Sequence, residues 1–514
     1  MVARDIRELL LAPRLEPARA AALLAPYRLT DFEKADSSIQ GAAGDPGERL
    51  LFAEILEDFL NCVALAANPD QSVTYFERFT SSVSSKSHLF TYLRNSKQAL
   101  EILARCLGGS VYMAEILIRD PHLFYWVTDP QILHGSRPLS EIQRELAQTL
   151  KMLKHESKQF GYLRTAKRRE MLWIGVRDLL RIATVEETLS SLSVVAESLV
   201  SAACEISARS LKRELKIPLD AYRDFTILAM GKLGGGELNF SSDVDLMFLY
   251  DVKDQRCHGT SPADYFRKLA QKITTGLSAF TSDGYVYRVD LRLRPEGDAG
   301  NLADSLEAYE RYYQTRMGAW ERLALLKAWP VAGSPALGER FLEMSRPFIF
   351  RPAFNQEALA DVRHMKSRLD DKVLAKGQGG RNVKLGTGGI REIELVVQSV
   401  QAANSEGHPE LLERNTLKAL DAIQKQALIS ADERNILRQA YLFLRDVENK
   451  LQMVDDAQTH SLPREQEELR ACSRLLGYSS EQGDVAEQLS RDFQHHTGCV
   501  NRIYEKYIVG RTPL

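Results

Sequence analysis

Residues 231–245 run Gly-Lys-Leu-Gly-Gly-Gly-Glu-Leu-Asn-Phe-Ser-Ser-Asp-Val-Asp, an order that few local structures accommodate. A glycine turn is followed by two aspartates one residue apart and then by the apolar run Leu246–Tyr250. On a β-strand, residues i and i+2 point to one face. Asp243 and Asp245 are therefore expected side by side, with Val244, Leu246 and Phe248 on the opposite face. Two carboxylates that close repel each other unless a cation lies between them. Oxygen-only donors suit magnesium, which is held by one or two carboxylates together with substrate phosphates. Glycines just before them let backbone N–H groups approach a phosphate. The pattern predicts a cation and nucleotide site of the kind that nucleotidyl transfer requires.

The chain has 514 residues, more than one ordinary core can organise, so two to four domains are expected. A formal net charge of −2 argues against broad nucleic-acid binding, which needs a surplus of Lys and Arg. Cys62, Cys106, Cys204, Cys257, Cys472 and Cys499 are scattered with no C-x-x-C pair. They read as reduced thiols of a cytoplasmic protein and not as a disulfide framework or zinc site. Met1–Arg14 is interrupted by Arg4, Asp5, Arg7 and Glu8, unlike a signal peptide. No apolar run is expected to span a membrane.

Three consecutive parts follow from the pattern. Residues 1–215 show apolar residues at three- and four-residue spacing and read as helix. Pro218 opens a mixed α/β domain near 216–335, and residues 336–514 read as a helical bundle. The expected class is α+β, predominantly helical. Within the middle part, Asp224–Met230 and Asp243–Tyr250 read as strands, and Ala263–Phe280 as a helix. Tyr285–Arg294 alternates from Tyr287 onward and reads as the clearest strand of the chain. Its polar face carries Arg288, Asp290, Arg292 and Arg294, a lone carboxylate among arginines. That suits a third carboxylate in a site that also neutralises phosphate. A long helix is expected from about Leu306 to Trp329, with Trp320 and Lys327 on one face. Nine Lys/Arg against three Asp/Glu between Lys151 and Arg181 give a solvated face or a basic wall toward an anion. Gly377-Gln-Gly-Gly-Arg-Asn-Val-Lys-Leu-Gly-Thr-Gly-Gly389 reads as a glycine-rich loop capping a helix that starts with Arg391, Glu392 and Glu394.

A glycine turn, paired aspartates, an apolar strand and a later strand bearing one carboxylate together resemble the DNA polymerase β-type nucleotidyltransferases. Longer segments sharpen the resemblance. Gly231–Leu246, Tyr287-Arg-Val-Asp-Leu-Arg-Leu-Arg-Pro, Trp320-Glu-Arg with Lys327, and Gly388-Gly-Ile-Arg-Glu-Ile-Glu are similar to the glutamine synthetase adenylyltransferase/adenylyl-removing family. So are Leu163-Arg-Thr-Ala-Lys-Arg-Arg-Glu, Leu444-Arg-Asp-Val-Glu-Asn-Lys and Gln458-Thr-His. The wording around Asn239–Asp243 resembles the N-terminal, adenylyl-removing half. One Ser-Asp-x-Asp pattern is found, so one site is expected, either in half of a two-site enzyme or in a single-site member.

The resemblance implies a polymerase β-type domain flanked by helical domains, magnesium (two ions), ATP or ADP as nucleotide, and regulation of nitrogen assimilation. Asp243, Asp245 and Asp290 would be catalytic metal ligands, Asp290 alternatively a proton acceptor. Gly234, Gly235 and Ser242 would cradle phosphates, and Arg292 and Arg294 would clamp them. Lys232 reads equally as a solvated turn lysine. Glutamine synthetase is the implied partner, with a PII-type protein the alternative. Phosphorolytic removal of AMP is the expected direction. ATP-dependent adenylylation and a catalytically idle regulatory module are the rivals.

Overall fold

The structure, a computed structural model, describes residues 5–12, 15–218, 223–252, 259–349, 356–375, 377–404, 406 and 408–510. Cys257 lies outside them. The chain is predominantly helical with one small mixed sheet, the expected class. By packing it gathers into two compact units, each discontinuous in sequence. The three consecutive segments above divide the chain by pattern, whereas these units divide it by contact.

One unit comprises Met1–Ser136, Arg169–Thr184 and Asn449–Arg491, and its described elements are helices. Its breakers start helices instead of interrupting them. Asp45 accepts from the Glu48 backbone while Glu48 returns to Asp45, with Pro46 in the first turn of Pro46–Leu65. Asn68 caps Pro69–Ser82 by accepting from Gln71 N at 3.0 Å, again with a proline in the first turn. Such caps satisfy the first-turn N–H groups that have no partner within the helix. The core is aromatic: Phe52 stacks on Phe90 at 5.0 Å, and Phe59 meets Phe76 at 4.1 Å.

The other unit comprises Arg137–Arg168, Val185–Glu448 and Asp492–Leu514. It contains five strands among the described residues: β1 Phe225–Ala229, β2 Val244–Tyr250, β3 Val289–Asp290, β4 Ala303–Ser305 and β5 Trp329–Gly333. The order is β3-β2-β1-β5, with β4 also on β2. β1 runs antiparallel to β2 and β5, while β3 and β4 run parallel to β2 in succession along one edge. Phe225, Phe248, Tyr250 and Phe266 stack where the sheet meets the helix Pro262–Ser278. The helix Val185–Glu214 packs against Pro262–Ser278 and β5. It contains an 18-residue window of mean hydropathy 1.4, so one helix is long and apolar enough to cross a membrane, contrary to expectation. Of that window, 67% is buried inside the protein, the signature of a core helix.

Two further expectations are corrected. Tyr285–Arg294 forms a strand only at Val289–Asp290. Arg294 is buried and donates to the carbonyls of Leu291 at 2.7 Å and Gly300 at 3.3 Å. These bonds wind the segment into turns, and Glu296 and Gly297 follow with positive φ. The single helix expected over Leu306–Trp329 is two, Leu306–Thr315 and Ala319–Leu325, with Gly318 capping the second. Trp329 and Pro330 then enter β5, an edge strand on which proline is tolerated. Trp320 is 40% exposed while Lys327 is buried beyond the helix end, so the two do not share a helix face.

The basic stretch is largely consumed internally. In the first unit Arg177 donates to the carbonyls of Leu133 and Gly135. In the second, Arg164 donates to Ala279 O at 2.9 Å and Arg168 to Asp283 O at 2.7 Å. Lys167 sits over the rings of Tyr285 and Tyr287.

A buried ionic cluster underlies the glycine turn. Lys232 Nζ donates to Asn239 Oδ1 at 2.7 Å and to both oxygens of Glu448 at 2.8 Å. Arg445, fully buried, donates to Glu237 O, to Asn239 Oδ1 at 2.9 Å and to Tyr441 Oη at 2.5 Å. Its Nε lies 3.6 Å from Glu448. An arginine cannot shed its proton, so Glu448→Ala should leave a buried uncompensated charge. Its expected cost is on the order of 3 kcal/mol, read as faster hydrogen exchange in the 225–250 hairpin. Glu448→Gln should cost less, because it keeps acceptor capacity.

Candidate active site

The site is built by strand register. In the parallel β2–β3 pair, Val244 lies opposite Val289 and Asp245 opposite Asp290. Aligned residues on neighbouring strands put their side chains on one face. Asp243, two residues before Asp245, emerges just ahead of β2 at the same end of the sheet. The turn between β1 and β2 closes over Asp245: Met230 N donates to Asp245 O at 2.9 Å. Gly231 has φ +54°, and a Cβ there would lie 2.6 Å from Asp245 Oδ2. A left-handed backbone against a carboxylate leaves room only for glycine.

Two of the three carboxylates are paired with arginines. Arg288 Nε donates to Asp243 Oδ1 at 2.7 Å, and its Nη2 donates to Ser241 O at 2.6 Å. Arg292 grips Asp290 from Nε and Nη2, at 3.0 and 2.5 Å. That guanidinium holds the Asp290 carboxyl below the usual range. Asp245 differs: among the described residues its carboxylate has no hydrogen bond or ion pair. Burial pushes its pKa up to about 7, Asp290 and then Asp243 add repulsion, and Lys384 and Arg391 oppose the rise. Burial likewise pulls Lys232 down to about 7, against the attraction of Glu448. Lys232 is therefore a structural lysine and not a solvated one.

The other expected residues are placed differently. Gly234 turns away from the carboxylates: a Cβ there would meet Lys327 O at 1.8 Å, and its carbonyl accepts from Arg414. Gly235 faces Glu237 and Arg414 O. Ser242 Oγ accepts from Asn239 N at 3.1 Å and closes the turn. Arg292 pairs with Asp290, and Arg294 braces its own loop. Glu392 and Glu394 are buried, Glu392 on Lys366 at 3.1 Å and Glu394 on Lys327 at 3.7 Å. Burial raises the Glu394 pKa, but Lys327, Arg391, Lys232 and Arg445 outweigh it and bring it to about 2. Sequence reasoning missed the roles of Arg288, Lys384 and Glu448. All three lay inside segments already singled out, but no spacing rule joins residues so distant in the chain.

A glutamate-ammonia ligase adenylyltransferase family model matches residues 100–344. The bifunctional glutamine synthetase adenylyltransferase/adenylyl-removing enzymes of Mannheimia succiniciproducens and Methylococcus capsulatus are 36% and 33% identical over 424 and 398 residues. These alignments cover 80% and 76% of this chain. The chain belongs to the glutamate-ammonia ligase adenylyltransferase family. It spans 42% and 41% of the length of those two relatives. A PII-uridylyltransferase family model matches residues 363–508. Within this family member the three aspartates and Lys232 fall in the first match, and Lys384, Arg391, Glu394, Arg445 and Glu448 in the second.

The donor set fits a divalent cation: three carboxylates at one end of the sheet, one of them recessed, repelled and without a partner. Among the described residues, no three His, Cys, Asp or Glu side chains converge closely enough to hold an ion as they stand. Arg288 and Arg292 occupy Asp243 and Asp290 instead.

The raised Asp245 pKa means the folded chain binds that proton more tightly than the unfolded one. Stability from this group is therefore lost as pH rises from about 4 to about 7. Asp245→Asn should remove the penalty. In urea unfolding the variant should gain on the order of 1–2 kcal/mol over wild type on going from pH 5 to pH 8, discounted for partial exposure. A gain that does not change with pH would contradict the assignment.

Proposed function

We propose that this chain carries a nucleotidyl-transfer site acting on glutamine synthetase and that it removes AMP by phosphorolysis. The observation that supports a nucleotidyl site most is the Asp245–Asp290 register with Asp243 beside it, the family assignment pointing the same way. The direction rests on the resemblance of residues 231–246 and 442–463 to the adenylyl-removing half of the family.

In this reading an oxygen of inorganic phosphate attacks the α-phosphorus of adenylyl-tyrosine. The bond from that phosphorus to the tyrosine oxygen breaks, the phenolate takes up a proton, and ADP leaves. Asp243, Asp245 and Asp290 would hold magnesium. When bound, that ion would draw charge from the phosphoryl oxygens as the transition state forms. Inorganic phosphate is already anionic and needs little help from a base. Arg292, by holding Asp290 ionised, favours the ligand role over the proton-acceptor role for that residue.

The test uses the full chain with adenylylated glutamine synthetase, magnesium and phosphate. ADP should appear and be absent without phosphate; AMP would mean that water is the nucleophile. Transfer from ATP onto unmodified glutamine synthetase, with no action on the adenylylated form, would reverse the direction and leave the site assignment standing.

A further inference from the structure

The glycine-rich segment 377–389 and the helix Ile390–Asn404 carry two cations that keep donors in reserve, the Lys384 ammonium and the Arg391 Nε. The segment is fixed in place. Lys366, buried, donates to Leu385 O at 3.3 Å and pairs with Glu392 Oε1 at 3.1 Å. Glu392 Oε2 accepts from Gly388 N at 2.9 Å. Gly388 has φ +71°, and a Cβ there would lie 1.9 Å from Thr497 O. Lys384 is held at both backbone groups: its N donates to Asn382 Oδ1 at 3.1 Å, and its O accepts from Arg391 N at 2.9 Å.

This scaffold lies beside the glycine turn. Glu394, on the same helix, reaches Lys327 Nζ at 3.7 Å; Lys327 pairs with Glu237 at 2.7 Å, and its carbonyl abuts Gly234. Arg391 Nη1 meets Glu394 at 3.3 Å, but its buried Nε has no hydrogen-bond partner. Lys384 is half-buried, and among the described residues its ammonium has no hydrogen bond or ion pair. Both cations act electrostatically on Asp245, and Lys384 also on Lys232. Interior cations are ordinarily paired, and Lys232, Lys327, Lys366 and Arg445 all are. Lys384 and Arg391, only partly buried, keep free donors within electrostatic reach of a recessed carboxylate, an arrangement complementary to an anion supplied from outside.

We propose that Lys384 Nζ and Arg391 Nε form the seat for a phosphoryl group of the substrate, across from Asp243, Asp245 and Asp290. Lysine supplies a point charge and arginine a directed N–H, a combination suited to phosphate oxygens. The inference deepens the nucleotidyl-transfer reading and rests on it. The phosphoryl group belongs either to the nucleotide or to free phosphate, and the two sources separate by titration.

The full chain is titrated calorimetrically with ADP and magnesium, and separately with inorganic phosphate and magnesium, with no protein substrate present. Lys384→Met should weaken one or both about tenfold or more, and Lys384→Arg should restore much of the loss. Arg391→Met should weaken the same ligand. An effect on ADP alone assigns the seat to the nucleotide, and an effect on phosphate alone assigns it to the free anion. Urea midpoints of both Met variants near wild type would show that the fold is kept. Wild-type binding that neither Met variant weakens overturns the seat while leaving the nucleotidyl reading intact. Failure of the wild type to bind either ligand overturns both.

Discussion

Like-charge repulsion at the end of the sheet is the constraint around which the second unit is arranged. Register alone aligns Asp245 with Asp290, and Asp243 follows from the period of the chain. Three carboxylates gathered in this way cost stability unless positive charge answers them. The fold answers at two with Arg288 and Arg292 and leaves Asp245 open beneath Gly231. Natural folds tolerate such a conflict where it serves function.

The surrounding structure holds that arrangement rigid. The glycine turn is pinned from below by Lys232, Glu448 and Arg445, and from the side by Lys327 and Glu237. Each buried ion has a partner and each partner a second bond, the condition under which a buried polar network specifies one geometry. A displaced turn would carry Gly231 away from Asp245, so the network that holds the turn and the recessed carboxylate beneath Gly231 are one device. The glycine-rich segment 377–389 is braced in the same manner by Lys366, Glu392 and Gly388.

Much of this was legible in the sequence because local patterns carry it. The Asp243-Val-Asp245 spacing, the strand after it and the helix after Pro262 all followed from period and punctuation. What failed was alternation without a sheet partner. Tyr287–Arg294 has the period of a strand, yet Arg288 and Arg294 spend their donors on Ser241 and on local carbonyls, and only Val289–Asp290 pairs. Glycine type was readable and glycine role was not. Gly234 is required by the passage of Lys327, some 90 residues away in sequence, and Gly231 by Asp245. The family segments around Arg391 and Arg445 were recognisable as strings, but their function as a brace and an anion-facing edge appears only when distant residues meet.

The central claim is that Asp245, open between two arginine-held carboxylates, is where a divalent cation enters. Manganese can stand in for magnesium at oxygen-ligand sites and is read by electron paramagnetic resonance. Titrated into the full chain at pH 8, manganese should lose its free-ion signal at a saturable site. Asp245→Asn should weaken that binding by about tenfold or more, with unfolding behaviour kept. Equal manganese binding in wild type and variant, or none in wild type, would contradict the account.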